Sequence, residues 1–245
     1  MNKNTYQQKM IFITGTDTNV GKTIVTGGLL LAFRSRGYRT LAMKPFQTGT
    51  YLQDGRRISP DGLFYGTQEE PPEIVNPVAM EPPAAPWAAT LLTGEEVVTS
   101  RAFQAIAEAR PRYDLLLLEG AGGLCVPLKQ DFLVADLIRE LGCPILIVAR
   151  GSLGTINHTL LTVHYARAQG IPILGVIING LTQGEDPVAD LNPRIIKELS
   201  GVPLFGVIPY SSGISMEELK TGDLAELMER FVDLAALEGD IFGQS

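Results

Sequence analysis

The chain has 245 residues, enough for one large domain or two small ones, and residues 1–245 are read here as one. Hydrophobic residues make up 45% and charged ones 19%, which excludes a disordered chain or a coiled coil. Twenty basic against 27 acidic residues give a net charge of −7, which argues against a broad nucleic-acid or anionic-membrane surface.

The N-terminus, MNKNTYQQKM, is polar and lacks the apolar core of a signal peptide. No uncharged apolar stretch is long enough to span a bilayer. A cytoplasmic protein without membrane or nucleic-acid partners is expected. The first apolar run, residues 10–15, predicts a buried strand, and Gly21 to Arg36 predicts a helix stopped at Gly37. Between them stands Gly15-Thr16-Asp17-Thr18-Asn19-Val20-Gly21-Lys22-Thr23. Strand, glycine turn, Gly-Lys-Thr and helix make a phosphate-binding loop. Its backbone N–H groups cradle phosphates, Lys22 reaches the β- and γ-phosphates, and the Thr23 hydroxyl ligates Mg²⁺. The loop is a Walker A variant, because Thr16 occupies the first glycine position and Gly15 lies one residue earlier.

Residues 39–44 predict a second strand ending in Lys44, followed by an irregular Pro45-Phe46-Gln47-Thr48-Gly49. A short helix is predicted over 61–66, where Asp61 after Ser59-Pro60 reads equally as an N-cap or a site carboxylate. The segment 71–86 holds Pro71, Pro72, Pro77, Pro82, Pro83 and Pro86, too many for a regular element, and reads as an insertion. A helix over 99–110 precedes a strand at 114–118. Glu119 ends that strand before Gly120-Ala121-Gly122-Gly123, where a second metal ligand of a phosphate-loop enzyme belongs. Helices over 131–141, 154–169 and 192–200 alternate with strands at 144–149, 171–178 and 202–208, and a last helix is predicted near 222–238. The helix starting at Gly154-Thr155-Ile156-Asn157 offers free N–H groups to an anion, although Thr155 could serve as its cap. Asn179-Gly180 reads as a turn or as an amide facing a nucleobase. Two cysteines (Cys125 and Cys143) without metal-ligand spacing, and two histidines (His158 and His164) six apart, leave no Cys–His or Ser–His nucleophile pair. Continuous Leu/Ile/Val strands in a β–α rhythm predict a three-layer, doubly wound α/β fold with a mainly parallel sheet. Ligands then collect at the carboxyl ends of its strands.

Four motifs in this order, residues 15–23, Lys-Pro-x-x-Thr-Gly (44–49), Glu-Gly-Ala-Gly-Gly (119–123) and Leu-Gly-x-Ile-Asn-His (153–158), resemble those of the dethiobiotin synthetases. The resemblance runs through most of the chain. It implies a P-loop fold and ATP-dependent ring closure of 7,8-diaminopelargonic acid with CO₂, through a carbamate and a carbamic–phosphoric anhydride. Lys22 and Lys44 would flank the carbamate and the γ-phosphate, with Thr18 near the transferred group. Thr23, Asp61 and Glu119 would hold Mg²⁺. ATP would lie along Asn19, Val20, Gly21, Lys22, Thr23 and Ile24 and against Gly120, Ala121 and Gly122. Asn179 and Gly180 would meet adenine, with Pro209, Tyr210 and Ser211 beside them. Thr48 would contact the diamine or carbamate. Gly154, Thr155, Ile156 and Asn157 would anchor the substrate carboxylate across a homodimer interface. The rival within the P-loop class is a dimerising partition-type ATPase switch. Such proteins carry a signature lysine where this chain has Thr16, and the final helix here is acidic rather than basic.

Overall fold

Six strands carry the fold in a computed structural model that describes residues 9–66, 70–181, 184, 187 and 189–243. Most of the polar N-terminal stretch lies outside the described residues. The strands are β1 (Lys9–Gly15), β2 (Thr40–Met43), β3 (Leu115–Glu119), β4 (Ile145–Arg150), β5 (Ile173–Leu181) and β6 (Leu204–Pro209). They form one parallel sheet in the order β6-β5-β4-β1-β3-β2. The chain order reverses around β1, so the carboxyl ends of β1, β3 and β4 open onto one crevice.

The pleat explains why these strands read as unbroken apolar runs. Leu115 and Leu117 enter one core while Leu116 and Leu118 enter the other. On the first face, Ile11, Ile13, Leu146 and Val148 pack under the helices Lys22–Ser35, Leu224–Phe231 and Leu234–Phe242. On the other, Phe12, Leu41, Ile145 and Ile147 pack under Thr99–Ala109, Val134–Leu141, Thr155–Ala168 and Asn192–Ser200. The result is the expected three-layer parallel architecture. Among the described residues no helix is long and apolar enough to cross a membrane.

Four expectations need correction. The proline-dense segment is not irregular throughout. It contains the helix Pro72–Val75 and the strand Val78–Met80, which pairs in parallel with Phe46–Thr48. Pro72 stands in the first turn of its helix, where a missing N–H costs nothing. The stretch after Lys44 also contains a hairpin, Tyr51–Gln53 with Arg56–Ile58, turned at Asp54-Gly55 with positive φ at both residues. β5 runs through Asn179 and Gly180 to Leu181, so these two end a strand instead of following it. The single helix near 222–238 is two, because Val232 is extended and bridges to Gly206, and Asp233 then caps Leu234–Phe242 by accepting from the Ala236 N–H.

Candidate active site

The loop between β1 and the helix Lys22–Ser35 is the site's floor. Gly21 caps that helix in the left-handed region with φ 90°, and a Cβ there would lie 2.0 Å from Asn179 Nδ2. Only glycine fits, because both the dihedral and the close approach exclude a side chain. The Lys22 ammonium, on a residue only 6% exposed, donates to the Asp17 carbonyl at 3.0 Å and so bends back over its own loop. Burial lowers its pKa and nearby Lys44 adds to this, while Glu119 and Asp61 oppose.

Three further elements converge on Thr23. Its hydroxyl lies 2.9 Å from Asp61 Oδ1 and 2.9 Å from Glu119 Oε1. Lys44, just past the end of β2, places Nζ 2.7 Å from Asp61 Oδ2 and 3.0 Å from Glu119 Oε1. Burial would push the Lys44 ammonium down, but the two carboxylates outweigh it and hold its pKa above the ordinary lysine value. Burial likewise pushes Asp61 up, and Lys44 reverses this and leaves it below the usual carboxylate value. The alternative role for Asp61 falls away. Ser59 caps the helix Pro60–Phe64 through the Gly62 N–H at 3.1 Å, and Asp61 sits inside the first turn, facing the cluster.

Around these groups opens a cleft of about 830 Å³. Thr18, Asn19, Gly21, Lys22, Thr23 and Ile24 line its loop side. Lys44, Thr48, Asp61, Glu119, Ala121 and Gly122 line the cleft as well. Val20 is buried beneath the loop and Gly120 packs on Phe12. Thr23, Asp61 and Glu119 suit Mg²⁺ by their chemistry, because all are hard oxygen donors converging on one point. Among the described residues no three His, Cys, Asp or Glu side chains gather as a metal site. Two carboxylates and one hydroxyl leave positions for phosphate oxygens and water, the pattern that Mg²⁺ takes with nucleotides.

Residues 9–218 match the family model described as AAA domain. The chain is 38% identical over 237 residues to the ATP-dependent dethiobiotin synthetase BioD of Thermodesulfovibrio yellowstonii, covering 92% of this chain and 97% of that protein. With the BioD of Aquifex aeolicus it shares 40% over 223 residues, covering 90% and 98%. The chain belongs to the ATP-dependent dethiobiotin synthetase family. The cell division ATPase MinD of Pyrococcus furiosus superposes with a TM-score of 0.55 at 18% identity, covering 91% of this chain and 99% of that one. At that identity the likeness is one of fold alone.

Other residues expected of a dethiobiotin synthetase lie outside the cleft lining. Asn179 stands beside the loop, its amide donating to the Val20 carbonyl at 3.3 Å. Gly180 has φ 74°. Pro209 pairs with Leu181, Tyr210 is exposed, and the Ser211 hydroxyl donates to Asp223 at 2.8 Å. Gly154, Thr155, Ile156 and Asn157 open the helix Thr155–Ala168. Its cap is Gly154, and the buried Thr155 hydroxyl has no partner, so Thr155 is not the cap.

Three contributors were not expected. Tyr65 donates its hydroxyl to Glu119 Oε2, and burial together with Glu119 pushes its pKa well up, so it remains a donor. Asp17 accepts from the Thr18 N–H at 2.8 Å and from Arg150 Nη2 at 2.8 Å, and both interactions hold its carboxyl low. Arg150 also reaches His158 Nδ1 at 3.3 Å, which ties the phosphate loop to the helix bearing Asn157. The third is the proline-dense segment, whose Pro83, Ala84, Ala85 and Pro86 line the cleft. Their only sequence signal is that density beside Thr48.

Proposed function

We propose that this cleft closes 7,8-diaminopelargonic acid with CO₂ into dethiobiotin, at the expense of ATP, within a single 1–245 unit in the cytoplasm. The observation that carries the reading is the meeting of Lys22, Lys44, Thr23, Asp61 and Glu119 at one phosphate loop. An amine of the substrate adds to CO₂, forming an N–C bond and losing a proton. The carbamate oxygen attacks the γ-phosphorus, the bridging P–O bond to the β-phosphate breaks, and ADP leaves. The second amine attacks the carbamoyl carbon and loses its proton. The C–O bond to phosphate breaks and the ureido ring closes.

An anion attacking a polyanion needs concentrated positive charge in a water-poor site. Lys22 swings from the Asp17 carbonyl onto the phosphates, and Lys44 faces the carbamate. Thr18 borders the transferred group and Thr48 borders the diamine. Thr23, Asp61 and Glu119 would hold Mg²⁺, whose charge offsets that of the phosphate oxygens. Asn179 would read adenine beside Gly180, Pro209, Tyr210 and Ser211. The N–H groups from Gly154 to Asn157 would take the substrate's distant carboxylate from the partner subunit of a homodimer. No protein nucleophile is needed. The test is phosphate release from ATP, which should require both diaminopelargonate and bicarbonate and ignore DNA, lipid vesicles and glutamine. Turnover with ATP alone, unaffected by the diamine, would refute the reading.

A further inference from the structure

The helix Pro60–Phe64 delivers two side chains to one carboxylate cluster. Asp61 and Tyr65 lie four residues apart, on one face of a helical turn closed by the Tyr65 N–H donating to the Asp61 carbonyl at 3.0 Å. Asp61 reaches Thr23 and Lys44. Tyr65, 4% exposed, donates to Glu119, itself 1% exposed. The two oxygens of Glu119 are therefore divided. Oε1 accepts from both Thr23 and Lys44 on the cleft side, while Oε2 is held by the Tyr65 hydroxyl on the core side.

The helix is held at its start and packed closely at Gly62. Ser59 caps it through Gly62, and an ideal Cβ on Gly62 would lie 2.6 Å from Asn76 Oδ1. Asn76 in turn donates to the Lys44 carbonyl at 3.2 Å. The turn that carries Asp61 and Tyr65 thus packs closely on Asn76, which is bonded to the strand end that carries Lys44.

We propose that Tyr65 sets the metal preference of the site, by holding Glu119 Oε2 so that the carboxylate presents a single oxygen and the site takes Mg²⁺ in preference to Ca²⁺. This rests on the reading of Thr23, Asp61 and Glu119 as metal-holding residues. Mg²⁺ demands near-octahedral geometry with few, singly bonded carboxylate oxygens, whereas Ca²⁺ takes more oxygens and readily binds a carboxylate through both. Replacing an outer partner that orients a metal ligand typically costs about 10–100-fold in metal affinity or activity.

The test is calorimetric titration of the protein–ADP complex with Mg²⁺ and with Ca²⁺, for the wild type, Tyr65→Phe, Asp61→Asn and Glu119→Gln. Tyr65→Phe should shift the ratio of the two affinities toward Ca²⁺ by about tenfold or more. A structural role alone would weaken both ions equally and leave the ratio unchanged; that result overturns the proposal. If Asp61→Asn and Glu119→Gln weaken Mg²⁺ while Tyr65→Phe keeps the wild-type ratio, the Tyr65 assignment fails and the metal-holding reading stands. If neither carboxylate variant weakens Mg²⁺, both fail. Should Tyr65→Phe not fold, infrared difference spectra of wild-type protein with ADP decide the matter. The carboxylate bands lost in Glu119→Gln should show the splitting of single-oxygen coordination on Mg²⁺ addition, and two-oxygen splitting would overturn the proposal.

Discussion

Lys22 and Lys44 enter the cleft from different elements, and their surroundings tune them in opposite directions. Burial lowers the pKa of Lys22, whereas the carboxylates around Lys44 outweigh burial and raise its own. Replacing either with alanine removes a preorganised cation from the developing charge, so kcat for ring closure should fall by about 10²–10³. Near-normal kcat in Lys44→Ala would take it off the reaction path. The Asp61 carboxyl, held low by Lys44, gives a pH signature. Its folded pKa lies below the unfolded value, so its stabilising contribution is present above about pH 4 and is lost as the pH falls through the folded pKa. Denaturant titrations of wild type and Asp61→Asn should converge on acidification below pH 4, and a gap that stays constant with pH would contradict this. Lys22, Thr23, Lys44 and Glu119 were legible in the sequence because each sits in a local motif at a strand end. Tyr65 was not, because nothing local marks a tyrosine whose partner Glu119 is 54 residues away. Arg150 was hidden for the same reason, its partner Asp17 being 133 residues distant.

The contact of Gly21 with Asn179 joins the first helix to the end of β5, and this contact governs how those elements seat. Gly21→Ala forces a left-handed alanine, worth about 1–2 kcal/mol, and drives its Cβ into the Asn179 amide. Stability should drop by at least that amount and ADP affinity should fall with it, and pairing the change with Asn179→Gly should restore only the part due to the clash. Equilibrium unfolding and ADP titration check both, and an unperturbed Gly21→Ala protein would show that the two elements are not coupled there. The sheet was readable because parallel strands buried on both faces leave apolar runs. The small elements were not. The Tyr51–Gln53 strand is exposed along its length, so no apolar pattern announces it, and only Asp54-Gly55 hints at its turn. The break at Val232 depends on its bridge to Gly206, a tertiary contact that overrides a continuous helical pattern.

For the molecule as a whole, the question is whether one chain completes one site. The Asn157 anchor lies outside the cleft lining, and on our reading it serves a partner's cleft. Mixing inactive Lys44→Ala with inactive Asn157→Asp then produces hybrids with one doubly damaged and one intact site. With random exchange half the dimers are hybrids, which restores about a quarter of wild-type activity. A mixture that stays inactive after verified exchange would confine the anchor to one chain. The net charge of −7 bears on the same scale. ATP is a polyanion, so its attraction has to come from the cleft's own lysines and helix ends against a surface of net negative charge.

Lys44 gives Asp61 and Glu119 a counter-ion that is covalently part of the chain. The charge of the two largely buried carboxylates is therefore balanced without a dissolved cation. Adding a chelator to the nucleotide-free protein should accordingly leave its Tm unchanged, and a marked fall would show that Lys44 alone does not balance the pair. On the reading proposed above, a cation arriving with nucleotide would take over these carboxylates from Lys44 and leave its ammonium to the γ-phosphate.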